Sequence, residues 1–393
     1  MFTYVEAEKT AKIIVIGVGG AGGNAVNNMI ESNLQGVKFI AANTDSQVLD
    51  VSRAPIKLQL GEKLTQGLGA GANPQIGREA AYESADIIKS MVEGSHMVFI
   101  TAGFGGGTGT GAAPVIAEIC KEAGILTVAV VSKPFSFEGK KKMQIAEKGL
   151  HELKETADTV ITIPNDRLRG LASKNALALE MFKKANEILL HSVKGITDLI
   201  MIPGLINLDF ADVKTIMSKA GMAIMGIGIG KGENRAIDAA ERAISHPLLE
   251  DVSIAGAKGV LINLTSTSNL TMEEMTEASE RIYNEVGEDA EIIWGTAIDE
   301  SLGDEMRVTV IATGIGSDAK SSATEKYHEP PRGKVRDFTL SDIKQAVNYD
   351  EPTFIRKKKA VNDSDISQYP GYKGIVIDNN DLEIPTFLRR KAD

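Results

Sequence analysis

The chain has 393 residues, 43% of them hydrophobic, and a formal net charge of -10 with a pI near 5.2. That length fills one large domain or two ordinary ones, and the acidity argues against nucleic acid or an anionic membrane as a general partner. A single cysteine, Cys120, rules out an internal disulfide and suits a reducing compartment, and no uncharged apolar run reaches the roughly 18–20 residues of a membrane span.

Residues 1–10 lack an apolar signal core and read as a loose arm. Residues 12–16 form a β-branched run followed by a glycine cluster, and 24–32 are helical in character. A strand is expected at 37–42. A glycine-rich loop at 61–71 leads to a helix at 74–91, and a third buried strand follows at 97–102. After a second glycine cluster come helix 113–123, strand 126–131, helix 139–156 and strand 159–163. Strand and helix alternating at this interval predict a mainly parallel sheet covered on both faces.

Residues 177–202 carry apolar positions at helical spacing (Leu179, Phe182, Ile188, Leu189, Val193), as in a long helix buried against two neighbours; Pro203 and Gly204 end it. A second block follows, with helix 210–219, strand 223–229, helix 235–245, strand 259–265, helix 272–286 and strands 291–296 and 306–314. Its last two strands lack an intervening helix, so this half is expected to be a smaller α+β layer. After residue 316 the texture changes to Ser, Asp, Lys, Pro and Gly without sustained periodicity, which reads as a flexible linker at 317–380, with a transient helix at 338–346 and a solvated lysine run at 357–359. Residues 381–390 again alternate apolar and charged side chains around a proline, a pattern shared by tethered docking peptides and ordinary tails.

The first glycine run, Gly17-Val-Gly19-Gly20-Ala21-Gly22-Gly23-Asn24, lies between a strand and a helix. Glycines there let backbone N–H groups approach phosphate oxygens, and the helix N-terminus adds partial positive charge. Gly17, Gly19 and Gly22 also make a formal G-x-G-x-x-G, with Asp45 after the next strand. That is the outline of a dinucleotide site, so an NAD-dependent enzyme is one reading of this loop. No G-x-x-x-x-G-K-[ST] occurs, which argues against a P-loop NTPase. The second run, Gly103-Phe104-Gly105-Gly106-Gly107-Thr108-Gly109-Thr110-Gly111, follows another strand and opens another helix. Two such loops on one sheet edge can wrap a di- or triphosphate from two sides, with Thr108 and Thr110 offering hydroxyls to phosphate or to a magnesium shell.

The run 105–111 resembles the signature of the tubulin and FtsZ superfamily, and residues 11–316 are similar to bacterial FtsZ proteins, as are residues 381–390. The resemblance implies a Rossmann-like GTP-binding domain (11–176), a central helix (177–203), a smaller C-terminal α+β domain (204–316), a disordered linker (317–380) and a docking peptide (381–393). It implies GTP or GDP as ligand, with Mg2+ carried mainly by the phosphates. On this basis Gly19, Gly20, Ala21, Gly22, Gly23, Asn24, Gly103, Gly105, Gly106, Gly107, Thr108, Gly109 and Thr110 cradle phosphate, and Asn43 and Asp45 lie near the terminal phosphate and magnesium. Read without the family, Asp45 is a turn or helix cap.

Pro134, Glu138 and Lys142 match the ribose region, Asn165 a ribose or base contact, Phe182 a stacking face and Asn186 the guanine contact. Two positions depart from the usual pattern. Lys142 replaces an arginine and loses its fork geometry, and Asn186 replaces an aspartate that would accept from both guanine nitrogens. Asn207, Asp209 and Asp212 match a loop that inserts into the site of the next subunit, where the carboxylates orient the attacking water. Without the family, Asp209 is an N-cap and Asp212 a first-turn acid. The resemblance further implies head-to-tail filaments, a cytoplasmic location at the midcell division ring, and docking of membrane-tethering adaptors and regulators (FtsA, ZipA-like or MinC-like proteins) on residues 381–390. It implies no nucleic acid and no direct membrane insertion. A scaffold that binds nucleotide without hydrolysing it is the remaining alternative.

Overall fold

The computed structural model describes residues 11–171, 177–202, 204–219, 221–249, 254–287 and 290–315. Contacts divide the chain into residues 1–325 and 326–393, and every described residue falls in the first unit. The N-terminal arm, Pro203, the linker with its segments 338–346 and 357–359, and the docking peptide lie outside the described residues. In chain order the first half runs β1 (Ile13–Val18), α1 (Gly19–Glu31), β2 (Val37–Asn43), α2 (Ser46–Asp50), β3 (Ile56–Gln59), α3 (Glu62–Thr65), α4 (Pro74–Glu83), α5 (Ala85–Val92), β4 (Met97–Gly103), α6 (Thr108–Glu122), β5 (Leu126–Lys133), α7 (Lys140–Thr156), β6 (Thr159–Pro164) and α8 (Asn165–Leu168). The second half runs α9 (Ala178–Met201), α10 (Phe210–Met217), β7 (Gly221–Lys231), α11 (Arg235–Ile244), β8 (Gly259–Ser266), α12 (Met272–Tyr283), β9 (Glu291–Ile298) and β10 (Glu305–Ile315).

The strands form one sheet in the order β3-β2-β1-β4-β5-β6-β7-β10-β8-β9. From β3 to β6 all pairs are parallel, and the alternation in the sequence follows from burial on both faces. Ile13, Val15, Met97, Phe99, Val128 and Val130 point to a core shared with α1 and α9. Their neighbours Ile14, Ile16, Val98, Ile100, Ala129 and Val131 point to a second core under α4, α5, α6 and α7. Strand side chains alternate faces, so a strand covered on both faces must be apolar throughout. The order 3-2-1-4-5-6 reverses direction between β1 and β4, and open α/β sheets bind ligands beyond the strand ends at such a reversal.

Beyond β6 the sheet changes character. β6 and β7 share only the pairs Thr159–Gly221, Val160–Met222 and Ile161–Ala223. β10 runs antiparallel to both its neighbours, while β8 and β9 are parallel. This half has its own core under α11 and α12, as the mixed α+β expectation required. Helix α9, about 36 Å long, packs Ile188, Val193 and Ile196 into the core that also holds Ile161 of β6 and Met225 of β7. None of the described helices is long and apolar enough to cross a membrane.

The structure departs from the sequence reading at several places, beyond the short helices α2, α3 and α8 that the sequence did not suggest. The expected helix 74–91 is broken at Ser84, whose buried hydroxyl accepts from Gly61 N–H at 3.1 Å. Strand β3 was not expected, so the strand opening at Met97 is the fourth rather than the third. Helices α1 and α6 each begin five residues earlier than expected, within the glycine runs, at Gly19 and Thr108. Glycine's poor helix propensity is overridden there by the close backbone approach these turns require.

Candidate nucleotide site

Both glycine turns lie at the C-terminal ends of β1 and β4, at the reversal of strand order. Between them opens a cavity of about 360 Å³. The glycines divide into two kinds. A Cβ on Gly22 would collide with Thr101 O, and one on Gly109 would lie 2.5 Å from Gly103 O, so these glycines let the loops pack on the sheet. A Cβ on Gly20 or Gly106 would meet no atom within 4 Å, yet both glycines line the cavity. A side chain at either would enter the space a ligand fills.

The N-termini of α1 and α6 both open onto this cavity, and neither helix has an acid in its first turn. Their unpaired N–H groups and aligned peptide dipoles favour an anion. Among the described residues no lysine or arginine lines the cavity, and Glu138 is its only charged wall. A phosphate chain would therefore be held by backbone amides and hydroxyls. Thr108 faces the cavity, its hydroxyl 2.7 Å from that of Thr44. Thr110 is turned inward and its hydroxyl accepts from Gly105 N–H at 2.9 Å, which fixes the loop from behind.

The cavity continues to Pro134, Glu138, Asn165, Phe182 and Asn186. Glu138 accepts from Phe135 N–H at 2.9 Å through one oxygen and pairs with Lys142 at 3.1 Å through the other. Asn165 is 6% exposed, and its Oδ1 has no hydrogen-bond partner among the described residues. A buried acceptor left unpaired at a cavity wall costs stability unless a ligand donor meets it. Phe182, Ala185 and Asn186 share one face of α9 through i, i+3 and i+4 spacing. The rings of Phe182 and Phe135 stand at 87° to one another with centroids 5.3 Å apart.

Of the site residues expected from the sequence, the cavity is lined by Gly19, Gly20, Ala21, Asn24, Gly103, Gly106, Gly107, Thr108, Gly109, Pro134, Glu138, Asn165, Phe182 and Asn186. Gly22, Gly23, Asn43, Asp45, Gly105, Thr110 and Lys142 are absent from its lining. Asp45 caps α2, its Oδ1 accepting from Gln47 N–H at 2.9 Å and Val48 N–H at 3.3 Å. That is the plain capping role, and it leaves the dinucleotide reading without its ribose acid in the cavity. Phe104, within the second glycine run, also lines the cavity, as do Ser132 and Ala185, which no sequence signal marked. Ser132 ends a strand whose neighbours carry the motifs, and Ala185 precedes Asn186; adjacency was the only cue. No cluster of three or more His, Cys, Asp or Glu able to hold a metal occurs among the described residues.

Asn207, Asp209 and Asp212 lie elsewhere. Asp209 and Asp212 form a reciprocal cap at the start of α10: Asp212 N–H donates to Asp209 Oδ1 at 2.8 Å and Asp209 N–H to Asp212 Oδ2 at 3.3 Å. Asn207 Oδ1 accepts from Gly204 N–H at 2.6 Å, and Ile206 N–H donates to Thr296 Oγ1 at 2.8 Å, which anchors the loop to β9. Phe210, the first residue of α10, packs on His96, which immediately precedes β4. The acidic cap thus sits at the N-terminal end of the strand whose C-terminal end, Gly103, lines the cavity, about 20 Å away.

Family profiles fit this architecture. The Tubulin/FtsZ family, GTPase domain, matches residues 12–173, and the FtsZ family, C-terminal domain, matches residues 221–316. The chain is 50% identical over 388 residues to a cell division protein FtsZ from Coxiella burnetii, covering 97% of each chain. It is 48% identical over 409 residues to the one from Pseudomonas aeruginosa, covering 100% of each. A solved FtsZ dimer, empty, from M. jannaschii superposes with a TM-score of 0.76 at 48% identity, over 79% of this chain and 90% of that one. With its two glycine turns at the strand reversal, its unbroken central helix and its full-length similarity to these relatives, the chain belongs to the FtsZ family of tubulin-like GTPases.

Proposed function

We propose that this chain is a cytoskeletal cell-division GTPase that stacks head to tail, each nucleotide being hydrolysed when the acidic loop of the next subunit closes over it. The observation that carries this reading is the separation of pocket and acids at opposite ends of β4. One chain cannot bring Asp209 or Asp212 onto a phosphate held by its own glycine turns. A second copy stacked along the strand direction can. Such a contact joins unlike surfaces, does not close, and propagates as a filament. Exposed apolar tips suit both ends: Phe137 (70% exposed) precedes Glu138 of the cavity wall, and Leu205 (62%) lies beside Asn207.

In the assembled site the backbone amides of α1 and α6 hold the phosphates, Asn186 reads the guanine edge and Phe182 stacks on the base. Thr108 would lie near the shell of a Mg2+ ion bound with the nucleotide, and such an ion would supply neutralisation of the charge developing on the transferred phosphoryl group. Asp209 and Asp212, at the N-terminus of α10, orient the attacking water, and Asn207 steadies the terminal phosphate. Catalysis is then positioning and electrostatics rather than covalent chemistry. The domain limits 11–176, 177–203 and 204–316 follow the same reading, with the central helix joining nucleotide wall to acidic loop. The midcell ring, the cytoplasmic location and the docking of adaptors such as FtsA, ZipA-like or MinC-like proteins on residues 381–390 belong to this reading through the family.

The test is GTP turnover per mole of protein across a range of protein concentrations with magnesium. Specific activity that rises from near zero above a threshold is expected. A flat, nonzero rate would mean that one chain holds a complete site.

A further inference from the structure

One hydroxyl of the nucleotide cavity is held from outside it. Thr108 is the first residue of α6, and its hydroxyl at the cavity wall lies 2.7 Å from that of Thr44. Thr44 is fully buried and absent from the cavity lining, so it does not touch a ligand there. Among the described residues the Thr108 hydroxyl is the only hydrogen-bond partner of the Thr44 hydroxyl. A hydroxyl has one proton to donate and two lone pairs to accept with. A threonine alone at a cavity wall can therefore aim that proton in several directions, and a fixed neighbour selects one of them.

Thr44 is itself fixed by a glycine-rich segment that is not one of the two phosphate turns. It follows β2, and its carbonyl accepts from Gly69 N–H at 3.1 Å and from the Thr65 hydroxyl at 3.2 Å. Ser46 N–H donates to Gly67 O at 3.1 Å, and Asp45 and Leu68 pair as an antiparallel bridge. The loop 61–71 thus runs back along residues 44–46, a path for which Gly67 and Gly69 take φ of 76° and 84°. The same loop reaches the second glycine run, since a Cβ on Gly107 would lie 2.9 Å from the Cβ of Ala70. With its backbone pinned and its β-branched side chain enclosed, Thr44 presents its hydroxyl in one direction.

We propose that Thr44 is a positioning residue for the nucleotide phosphates: its buried hydroxyl donates to the oxygen of Thr108 and so turns the Thr108 O–H outward to a phosphate oxygen. The inference rests on the nucleotide reading of the cavity. A phosphate oxygen accepts and does not donate, so Thr108 must donate to it, and Thr44 must then donate to Thr108. The two bonds form a chain in which each polarises the other. Among the described residues no lysine or arginine lines this cavity, so the direction of a single hydroxyl weighs more here than it would beside a cation.

The test is a double-mutant cycle on the full chain, read by calorimetry as affinity for GDP and for guanosine without magnesium. Thr44→Val keeps the side-chain shape and removes the hydroxyl. It is expected to weaken GDP about fivefold and to leave guanosine, which has no phosphate, unchanged; Thr44→Ser should restore the parent affinity. Thr108→Val should itself weaken GDP, and adding Thr44→Val to it should change nothing further, because Thr44 acts only through the Thr108 hydroxyl. Should Thr44→Val lower the melting temperature, Thr44→Ala is read in its place by the same criteria. The proposal is overturned if removal of the Thr44 hydroxyl leaves GDP affinity at the parent level, if it weakens guanosine as much as GDP, or if its effect persists beside Thr108→Val. A parent chain that does not bind GDP, or full affinity in Thr108→Val, would overturn the nucleotide reading of Thr108 and the proposal with it.

Discussion

The imidazole of His96 and the ring of Phe210 lie 5.8 Å apart, inclined at 59°. His96 is also held to β1, since its Nδ1 accepts from Lys12 N–H at 2.9 Å. The start of α10, with Asp209 and Asp212, is thereby tied to the end of the sheet opposite the glycine turns. A shared site has a consequence that a one-chain site lacks. A pocket-blocked chain, Gly106→Val, and an acid-deficient chain, Asp212→Asn, should each be inactive alone. Mixed one to one, they should recover up to about a quarter of the parent activity, the fraction of interfaces that pair a sound pocket with sound acids. A mixture as inactive as its components would count against the shared site.

Asp212→Asn also separates capping from chemistry. An asparagine oxygen can still accept from Asp209 N–H, so the cap survives. Thermal stability should therefore hardly change and GTP should still bind, while turnover falls by about a hundredfold or more. Turnover near the parent level would leave Asp212 as a capping residue only.

The two kinds of glycine predict opposite phenotypes. Gly20→Ala adds a methyl into open space at the cavity wall, so the fold should keep its melting temperature while GTP affinity drops. Gly22→Ala drives a methyl into the backbone carbonyl of Thr101, and stability should fall by about 1–3 kcal/mol. Equal loss of stability in both variants would remove the distinction.

The same contrast explains what the sequence made legible. Strands β1, β4, β5 and β6 were readable because burial on both faces requires unbroken apolar runs, and α9 because its apolar stripe is long. The helix starts at Gly19 and Thr108 were not, since glycine argues locally against helix and only the neighbouring carbonyls, at Thr101 and Gly103, demand it. The break at Ser84 depends on a partner, Gly61, distant in sequence. In the site, residues on the glycine runs announced themselves. Ser132 and Ala185 did not, because any small residue at those positions would leave the same space. The roles proposed for Asp209 and Asp212 rest on the family alone, since locally they form an ordinary cap.

Asn165 and Asn186 test the nucleoside end of the cavity. The Oδ1 of Asn165 has no partner among the described residues, so Asn165→Ala should cost little stability and weaken GTP by up to about tenfold, the value of one hydrogen bond. Asn186→Asp offers a charged acceptor to the guanine edge. It should increase the preference for GTP over ATP in competition binding with a fluorescent GDP analogue; an unchanged preference would mean that Asn186 does not face the base.

The buried imidazoles predict how stability depends on pH. His191 and His246 are pushed down to about 4 from 6.5, chiefly by burial. Between those values the unfolded chain takes up protons that the folded chain does not, so stability rises with pH across that window and is lost as pH falls. From pH 6.5 to pH 5, above the range where most carboxylates titrate, each imidazole should remove roughly 2 kcal/mol. His246→Asn keeps an acceptor for Leu248 N–H but cannot be protonated. Urea unfolding with GDP and without magnesium, which keeps the chain from assembling, should show a shallower fall over that interval in the variant. Identical pH profiles would mean that His246 is already charged in the folded chain.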